Sequence, residues 1–454
     1  MALLNSVHDN YSTIVETNLK GFGQFIYFVD PNKYHFKSTY HVPEIFQQAW
    51  PYFLTLVLVE NIIRYFEKRS TVRVNDTITS FSHGLFQECF RLLLRGSESA
   101  LYIYIYDKYR LVDLPWESTL TWYVAALAVD FCYYWVHRCC HEVHILWAQH
   151  QVHHSSEDFN LTVGLRQSFL QNALGSFFYL PMAFFISPAL YLTHHQFNLL
   201  FQFWVHTEVI KSIGPLEYIF NCPKHHRVHH GSNVYCLDKN YGGVLIIWDR
   251  IFGTFAEEQD GVQIVYGLVV QQPSFNPLFL QYFYTQYVFE KAQSMENWKH
   301  KLAAIFWGPS WEPGKPRLGC DADKIDVTSR TKYDVKIPQW CNVYLVCHFV
   351  IIVLEFQELA SRHTSLNSIV VLGFVLYIIL SLTIIGMLFD NHPYAGILEF
   401  IRCITIVIIM QRKPELSLIG DFIPVIQSFF ILSSLFWALH TFKIIQIHNK
   451  CKAL

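Results

Sequence analysis

Apolar stretches long enough to cross a lipid bilayer recur along this chain and restrict the folds that are open to it. A membrane-spanning helix needs about 20 mostly apolar residues, because its backbone groups must bond to one another inside the bilayer. Only 15% of the residues are charged, whereas soluble domains carry about a quarter. The sequence therefore predicts an all-α fold, a polytopic bundle of membrane helices. The candidate spans are residues 48–66, 80–106, 118–138, 168–191, 194–211, 341–359, 368–390, 396–411 and 422–443.

The second stretch is ambiguous because it contains Glu88, Arg91 and Arg95. It either crosses the bilayer or lies flat in the interface. The first stretch ends in basic residues, among them Arg64 and Lys68, and this end should face the cytosol. If the second stretch crosses, the third span also ends on the cytosolic side; if it lies flat, the third span ends in the lumen.

The last five residues contain Lys450 and Lys452, which match a dilysine signal for retention in the endoplasmic reticulum. That signal is read only in the cytosol, and the span count with a crossing second stretch places it there. We therefore expect a multi-pass protein of the endoplasmic reticulum membrane.

Composition divides the chain into four segments. Residues 1–47 are expected in the lumen, and the more polar residues 257–340 form a cytosolic connecting region. Residues 48–256 form a membrane domain that holds a dense group of histidines. Residues 341–454 are almost purely apolar and form a C-terminal transmembrane bundle.

Charge and cysteine content exclude several classes of protein. Lys and Arg number 34 against 36 Asp and Glu, so the chain has no positive field that would attract a nucleic acid. The 11 cysteines are scattered without a CxxC pair, which argues against a disulfide framework and a zinc ribbon.

Histidine is the unusual residue, since 13 of the 23 lie between residues 137 and 230. Residues three and four apart share a helix face, so each of three clusters would place its imidazoles side by side. Clustered imidazoles at a membrane boundary cannot all be charged, and neutral rings there need a partner. The clusters comprise His137 and His141; His150, His153 and His154; and His226, His229 and His230.

Metal ions would provide that partner, because each neutral ring offers one lone pair, and imidazole suits iron, zinc, copper and nickel. Eight ligands exceed the four of a structural zinc site and suit two metal ions with open positions. His206, in an apolar helix near its cytosolic end, is a ninth candidate ligand. A register shift to His225 stays open for the third cluster. His144 is assigned to the surroundings of the site, and His194, His195, His348 and His440 are assigned no functional role.

Two acids lie close to the clusters. Asp130 lies seven residues before the first cluster on the same helix face, and we expect it to support catalysis by hydrogen-bonding a ligand imidazole. Glu142 directly follows the first cluster and either holds a polar cofactor or substrate or forms a surface ion pair with Arg138. Asp249 and Arg250 are expected to form a structural pair.

The three clusters and their flanking residues resemble the histidine boxes of the membrane fatty acid hydroxylase/sterol desaturase superfamily, over residues 120–256. Within that superfamily the chain is most similar to the alkylglycerol monooxygenase family, and this resemblance includes the apolar C-terminal part. The flanking signatures are residues 130–138 and 248–255; the family-specific segments are residues 147–158, 202–210, 238–249 and 308–319.

The resemblance implies a di-iron centre, O2, tetrahydrobiopterin as the reductant and an ether lipid, a 1-O-alkylglycerol, as the substrate. The implied reaction hydroxylates the alkyl carbon next to the ether oxygen, and the resulting hemiacetal collapses to a fatty aldehyde and glycerol. It also makes Glu142 a candidate for the pterin site. The alkyl tail would enter from the bilayer, with the metals at the cytosolic edge.

Three other functions stay open at this stage. A sterol or fatty-acyl hydroxylase or desaturase of the same superfamily would take electrons from cytochrome b5; this chain itself has no His-Pro-Gly-Gly haem signature and no GxGxxG loop. A zinc-dependent hydrolase would need a carboxylate beside a histidine pair, as in HExxH, and that motif is absent. A metal transporter would spread its ligands near the midplane, whereas these histidines collect at one membrane edge.

Overall fold

The computed structural model describes residues 20–94, 96–412 and 423–451, with side chains up to residue 441. Within these ranges the regular structure is helical, and β pairing is limited to two isolated bridges. This confirms the all-α fold. The α-helices of six or more residues are α1 (Trp50–Phe66), α2 (Val74–Leu94), α3 (Ala100–Tyr109), α4 (Thr119–Glu142), α5 (His144–His154), α6 (Pro188–Trp204), α7 (Pro223–His230), α8 (Ile247–Phe252), α9 (Pro277–Ser294), α10 (Trp298–Phe306), α11 (Gln339–Arg362), α12 (Ser368–Phe389), α13 (Ala395–Arg412) and α14 (Ile423–Cys451).

Three helices in the described ranges are long and apolar enough to cross a membrane. They are α11, α12 and the part of α14 from Ile423 to Thr441, and they agree with three of the predicted spans. At the other predicted spans the helices are either shorter or less apolar than these three, so those spans stay predictions.

The ambiguous second stretch does not form one helix, so the prediction of a single span at residues 80–106 is wrong. α2 ends at Leu94 and α3 begins at Ala100. Between them Gly96 has a φ of 79°, a left-handed conformation that interrupts a right-handed helix. Arg95 lies outside the described residues.

The predicted boundary between the fourth and fifth spans is also wrong. Pro188 opens α6, where its missing N–H costs no hydrogen bond, and the Ser187 side chain caps the helix. The preceding residues 171–184 form short helical turns rather than one long helix. Because α6 ends at Trp204, His206 lies in the following loop and not in a helix.

The chain forms two compact units, and the four predicted segments stay predictions. α2 groups with the C-terminal helices because its apolar face packs there: Leu85 and Phe86 share one hydrophobic core with Leu345 and Leu382. Among the described residues, unit 1 comprises 20–72, 96–271 and 283–331, and unit 2 comprises 73–94, 272–282, 332–412 and 423–451.

Candidate metal centre

A sharp corner between α4 and α5 brings the first two histidine clusters together. α4 ends at Glu142, Val143 is extended, and α5 begins at the next residue. Because a single residue separates the two helices, the last turns of α4 lie against α5. The Nε2 atom of His150 lies 3.1 Å from that of His137 and 3.2 Å from that of His154.

The short helix α7 supplies the third cluster. It begins with Pro223 in its first turn and ends at His230. Its histidines divide between two groups, since His229 joins the histidines of α4 while His226 and His230 face a second group. The Nε2 atoms of His226 and His230 lie 3.2 Å apart.

The structure brings all nine predicted histidines into two adjoining sets, and every ring is buried. Within each set, one nitrogen from each ring lies within 4.8 Å of all the others. The sets meet at His154 and His230, whose ring centroids lie 4.4 Å apart. Set 1 comprises His137, His141, His150, His154 and His229, and set 2 comprises His153, His206, His226 and His230.

His206 completes set 2 from a loop. Its Nε2 atom lies 2.9 Å from that of His226 and 3.1 Å from that of His153. The third cluster therefore contributes His226 and not His225, whose Nδ1 instead lies 3.5 Å from the Sγ of Cys222.

Backbone carbonyls fix the tautomer of several rings. The Nδ1–H of His137 donates to the carbonyl of Tyr241, and that of His229 donates to the carbonyl of Lys239, both at 2.8 Å. A carbonyl can only accept, so each ring carries its proton on Nδ1 and keeps the Nε2 lone pair for the interior of its set. The same arrangement holds for His153 with the Arg166 carbonyl at 3.1 Å, His206 with the Gln202 carbonyl at 2.6 Å, and His150 with the Gln171 side-chain oxygen at 3.1 Å.

Burial keeps the rings neutral. The pKa values of His153, His154, His229 and His230 lie well below the usual range, because burial penalises the charged form and neighbouring imidazoles lower the values further. Burial lowers the pKa of His150 to about 4. Neutral rings can bind a metal at pH 7 without first losing a proton.

The donor geometry fits transition-metal ions. Two imidazole nitrogens bound to one metal at about 2.0–2.1 Å lie about 2.9–3.4 Å apart when the bond angle is about 90–110°. Five Nε2 pairs, two in set 1 and three in set 2, fall in this range, at 2.9–3.2 Å. The Nε2 atoms of His141 and His229 are buried without a hydrogen-bond partner among the described residues, as expected of unused ligands. A donor set of neutral imidazoles suits iron, zinc, copper or nickel rather than calcium or magnesium.

Comparison with known proteins identifies the family. The fatty acid hydroxylase model matches residues 122–254, which contain all nine histidines, and the alkylglycerol monooxygenase C-terminal domain model matches residues 341–427. Alkylglycerol monooxygenase from Xenopus tropicalis is 44% identical over 85% of this chain and 86% of its own length. The protein of that name from Homo sapiens is 41% identical over 94% of this chain and 96% of its own length, and the one from Caenorhabditis elegans is 32% identical over 86% and 81%.

The chain belongs to the alkylglycerol monooxygenase family. This confirms the resemblance that the histidine clusters and their flanking segments carry. No solved structure matches the chain.

Asp130 does not bond to a ligand imidazole in this alkylglycerol monooxygenase family member, so the contact predicted for it is wrong. Its carboxylate accepts hydrogen bonds from the backbone N–H groups of Val244 and Leu245 at 2.8 and 3.1 Å, from the Trp248 Nε1 at 3.0 Å and from the Asn198 Nδ2 at 2.9 Å. Seven residues along a helix correspond to about 10 Å, which places this carboxylate two turns from the rings. In this geometry Asp130 anchors the segment before α8 to α4.

Glu142 forms the ion pair that the sequence left as one alternative. The Nε of Arg138 donates to one carboxylate oxygen at 2.8 Å, and an Nη of Arg317 lies 3.2 Å from the other. Glu142 also lines a cavity of about 590 Å³, so a ligand-binding role stays open. The cavity adjoins set 1, because Asp238 in its wall lies 3.8 Å from the Nδ1 of His141.

Among the described residues, two further groups of potential ligands lie outside the sets, and their carboxylates already pair with Arg or Lys side chains. An Nη of Arg402 lies 2.6 Å from Glu399, and the Nζ of Lys224 lies 2.5 Å from Glu257. We assign no metal to these groups. They comprise His348, Glu399 and Cys403 in unit 2 and Glu217, His225 and Glu257 in unit 1.

The sequence did not predict that Glu60 in α1 and Asp249 in α8 hold loops beside the metal centre. Glu60 accepts hydrogen bonds from Leu161 and Thr207. Asp249 does not pair with Arg250 as expected; it accepts three hydrogen bonds from the segment 241–254, while the Arg250 guanidinium lies 3.8 Å from the centre of the Phe255 ring. Glu60 carried a usable signal, because an acid inside an apolar stretch needs a specific partner.

Proposed function

We propose that this protein cleaves the ether bond of 1-O-alkylglycerols in a reaction that uses O2 and tetrahydrobiopterin, as a di-iron monooxygenase. The observation that carries the proposal is the convergence of nine buried, neutral histidines into two adjoining sets in a chain that is 41–44% identical to alkylglycerol monooxygenases. In this reaction one oxygen atom enters the lipid, the other leaves as water, and the pterin supplies two electrons.

Iron bound by the two sets would supply the reduction of O2 and the oxidising power for the C–H bond next to the ether oxygen. The residues of the chain prepare the site for that chemistry. Carbonyl partners hold the imidazoles of His137, His229, His153 and His206 in the ligating tautomer. Burial of all nine rings excludes bulk water from the reacting carbon.

The product of hydroxylation is a hemiacetal. Its C–O bond to the glycerol breaks and the proton of the new hydroxyl passes to the glycerol oxygen, which gives a fatty aldehyde and glycerol. Hydroxylation is needed because an ether resists acid–base cleavage near neutral pH. The protein has only to hold the alkyl carbon beside the metals during the oxidation, since the hemiacetal collapses by itself.

We assign the pterin to the cavity beside Glu142. A carboxylate oxygen has two lone pairs, so the two arginine contacts of Glu142 leave room for N–H donors of a pterin ring. The volume of about 590 Å³ fits a ligand of that size. Tyr235 and Phe252 in the wall offer aromatic faces for stacking.

We place the protein in the endoplasmic reticulum membrane with the metal centre on the cytosolic side. Support comes from the three apolar helices and the basic end of α1. The predicted dilysine signal adds nothing to this support, since the side chain of Lys450 and all of Lys452 lie outside the described residues. The alkyl tail would reach the site from the bilayer.

The test is an aldehyde-release assay with the full chain purified in detergent. We expect an alkylglycerol, O2 and tetrahydrobiopterin together to give fatty aldehyde, and omission of either O2 or the pterin to stop its release. Turnover only with cytochrome b5 and its reductase would instead support a sterol or fatty-acyl hydroxylase of the wider superfamily. Turnover without O2, in protein that contains zinc, would overturn oxidative chemistry altogether.

A further inference from the structure

Glu60 is a buried acid in α1 that bonds to two loops at set 2. One carboxylate oxygen accepts a hydrogen bond from the Thr207 hydroxyl at 2.5 Å, and the other accepts one from the backbone N–H of Leu161 at 3.0 Å. Thr207 directly follows His206, the ligand that lies beyond the end of α6. Glu60 therefore fixes the one histidine that no helix holds.

The second loop held by Glu60 also reaches set 2. It begins at Leu161 and leads to Arg166, whose carbonyl accepts the Nδ1–H of His153 at 3.1 Å. Within this loop Gly164 lies against His206, since a Cβ atom there would be 3.1 Å from the ring. Glu60 thus holds both loops that orient His206 and His153, two of the four rings in set 2.

Asp249 has the corresponding position at set 1. Its oxygens accept hydrogen bonds from the backbone N–H groups of Tyr241 and Gly242 at 2.8 and 2.7 Å. The carbonyl of Tyr241 in turn accepts the Nδ1–H of His137, and that of Lys239, two residues earlier, accepts the Nδ1–H of His229. The loop that Asp249 closes thus orients two of the five rings in set 1.

We infer that two separate carboxylates position the two halves of the metal centre, Glu60 through the supports of two rings in set 2 and Asp249 through the supports of two rings in set 1. The inference rests on the proposed two-metal centre. Both residues act through other groups and are positioning residues. Partners of metal-bound histidines typically change metal affinity by about 10–100-fold when they are removed, and here each loss is expected at one metal only.

The two carboxylates differ in how an amide would replace them. In Glu60→Gln the Thr207 hydroxyl can reverse and accept from the new NH2 group, while the amide oxygen still accepts from Leu161, so both links survive. In Asp249→Asn an NH2 group would face a backbone N–H of Tyr241 or Gly242, because both of its backbone partners are donors. The structure therefore predicts rescue by the conservative variant at set 2 and no rescue at set 1.

The test measures iron per chain in the full-length protein in detergent. At a free iron concentration just sufficient to fill both sites of the wild type, we expect two equivalents in the wild type, one in Glu60→Leu and one in Asp249→Leu, because a site weakened by about 10–100-fold then stays largely empty. Adding His230→Ala to Glu60→Leu should remove no further iron, whereas adding His141→Ala should remove the remaining equivalent. In Asp249→Leu, adding His141→Ala should remove no further iron, and adding His230→Ala should remove the remaining equivalent. Glu67→Leu, an exposed acid at the end of α1, is the matched control and should keep two equivalents.

If Glu60→Leu does not fold, Thr207→Val tests the same link. It removes only the hydroxyl that bonds to Glu60 and keeps the shape of the side chain. We expect it to weaken one of the two iron equivalents by about 10–100-fold. Two equivalents of unchanged affinity in Glu60→Leu or Thr207→Val, or equal loss from both sets, would overturn the inference while the two-metal centre stands. A wild-type chain that binds fewer than two metals would overturn the centre itself, and an iron-loaded chain without ether cleavage would overturn only the proposed reaction.

Discussion

The Nε2 atoms of His206 and His226 lie 2.9 Å apart, although one residue follows the end of α6 and the other lies in α7. Both rings are buried and approach each other through nitrogen atoms. One N–H···N hydrogen bond can join two neutral imidazoles at this distance, but the Nε2 atom of His206 also lies 3.1 Å from that of His153, and that of His226 lies 3.2 Å from that of His230. A shared cation would stabilise this approach of four nitrogen atoms, which is the most direct geometric indication of a metal in set 2.

Loss of one ligand from either set should abolish turnover. We expect His154→Ala, in set 1, and His230→Ala, in set 2, each to reduce aldehyde release below detection, because in the proposed reaction both metals act on one O2 molecule. The measurement is aldehyde release by membranes that contain equal amounts of each protein. His41→Ala, at an exposed position in unit 1, is the control. Wild-type turnover in either set variant would remove that ring from the ligand set.

Glu142→Gln should raise the tetrahydrobiopterin concentration needed for half-maximal turnover and leave the iron content at the wild-type level. The amide loses the charge that would hold the N–H groups of the pterin. Iron analysis and a pterin titration on the same preparation separate the two effects. Glu312→Gln, which alters a surface pair with Lys315 at 3.0 Å, should change neither quantity. An unchanged pterin titration in Glu142→Gln would leave this residue with its ion-pair role alone.

Gly243→Ala should lower the free energy of unfolding by about 1–3 kcal/mol, because overpacking forces neighbours to shift. A Cβ atom there would lie 2.7 Å from the Tyr133 ring and 3.1 Å from Asp130. Thermal denaturation in detergent measures the effect. Gly373→Ala in α12 meets no atom within 4 Å, and its effect should stay within about 1 kcal/mol. Equal stability of the two variants would contradict the packing described around Gly243.

Arg402→Met should destabilise unit 2 by about 3–5 kcal/mol, because it leaves the buried carboxylate of Glu399 without its cation. The two groups share hydrogen bonds of 2.6 and 2.7 Å, and both residues are buried. Denaturation of the single variants and of the double variant with Glu399→Gln forms the measurement, and the double variant should recover part of the loss. Arg362→Met, in an exposed pair, should cost less than about 1 kcal/mol. A loss at Arg402 as small as at Arg362 would show that the buried pair is not needed.

The orientation of the metal centre can be tested with glycosylation sites. Asp260→Asn combined with Val262→Thr creates a site in an exposed loop of unit 1. We expect no modification there, since this loop should face the cytosol, and we expect use of the native site at Asn10, which lies outside the described residues. Asn160 is a poor reporter, because its side chain is buried. Modification at residue 260 would place the metal centre in the lumen.

The sequence by itself determined the all-α class and the nine histidines that come together. Spacing of three and four residues on helices is a local property, so the clusters could be read without knowledge of the tertiary fold. The same reasoning failed where a local break intervenes: Gly96 interrupts the second stretch, and Pro188 starts α6 within a predicted span.

Only the tertiary structure decided how those histidines are divided. His153 and His154 are adjacent in α5 but belong to different sets, as do His229 and His230 in α7. Neighbouring residues on a helix point about 100° apart, so which neighbour faces which set depends on how α4, α5, α7 and the loop of His206 pack together. Glu60 bonds to Leu161 and Thr207, which are 101 and 147 residues away, and helix spacing carries no information on such contacts. Asp249 bonds to Tyr241, only eight residues before it, but Tyr241 lies in a loop outside α8, so helix spacing does not predict that contact either.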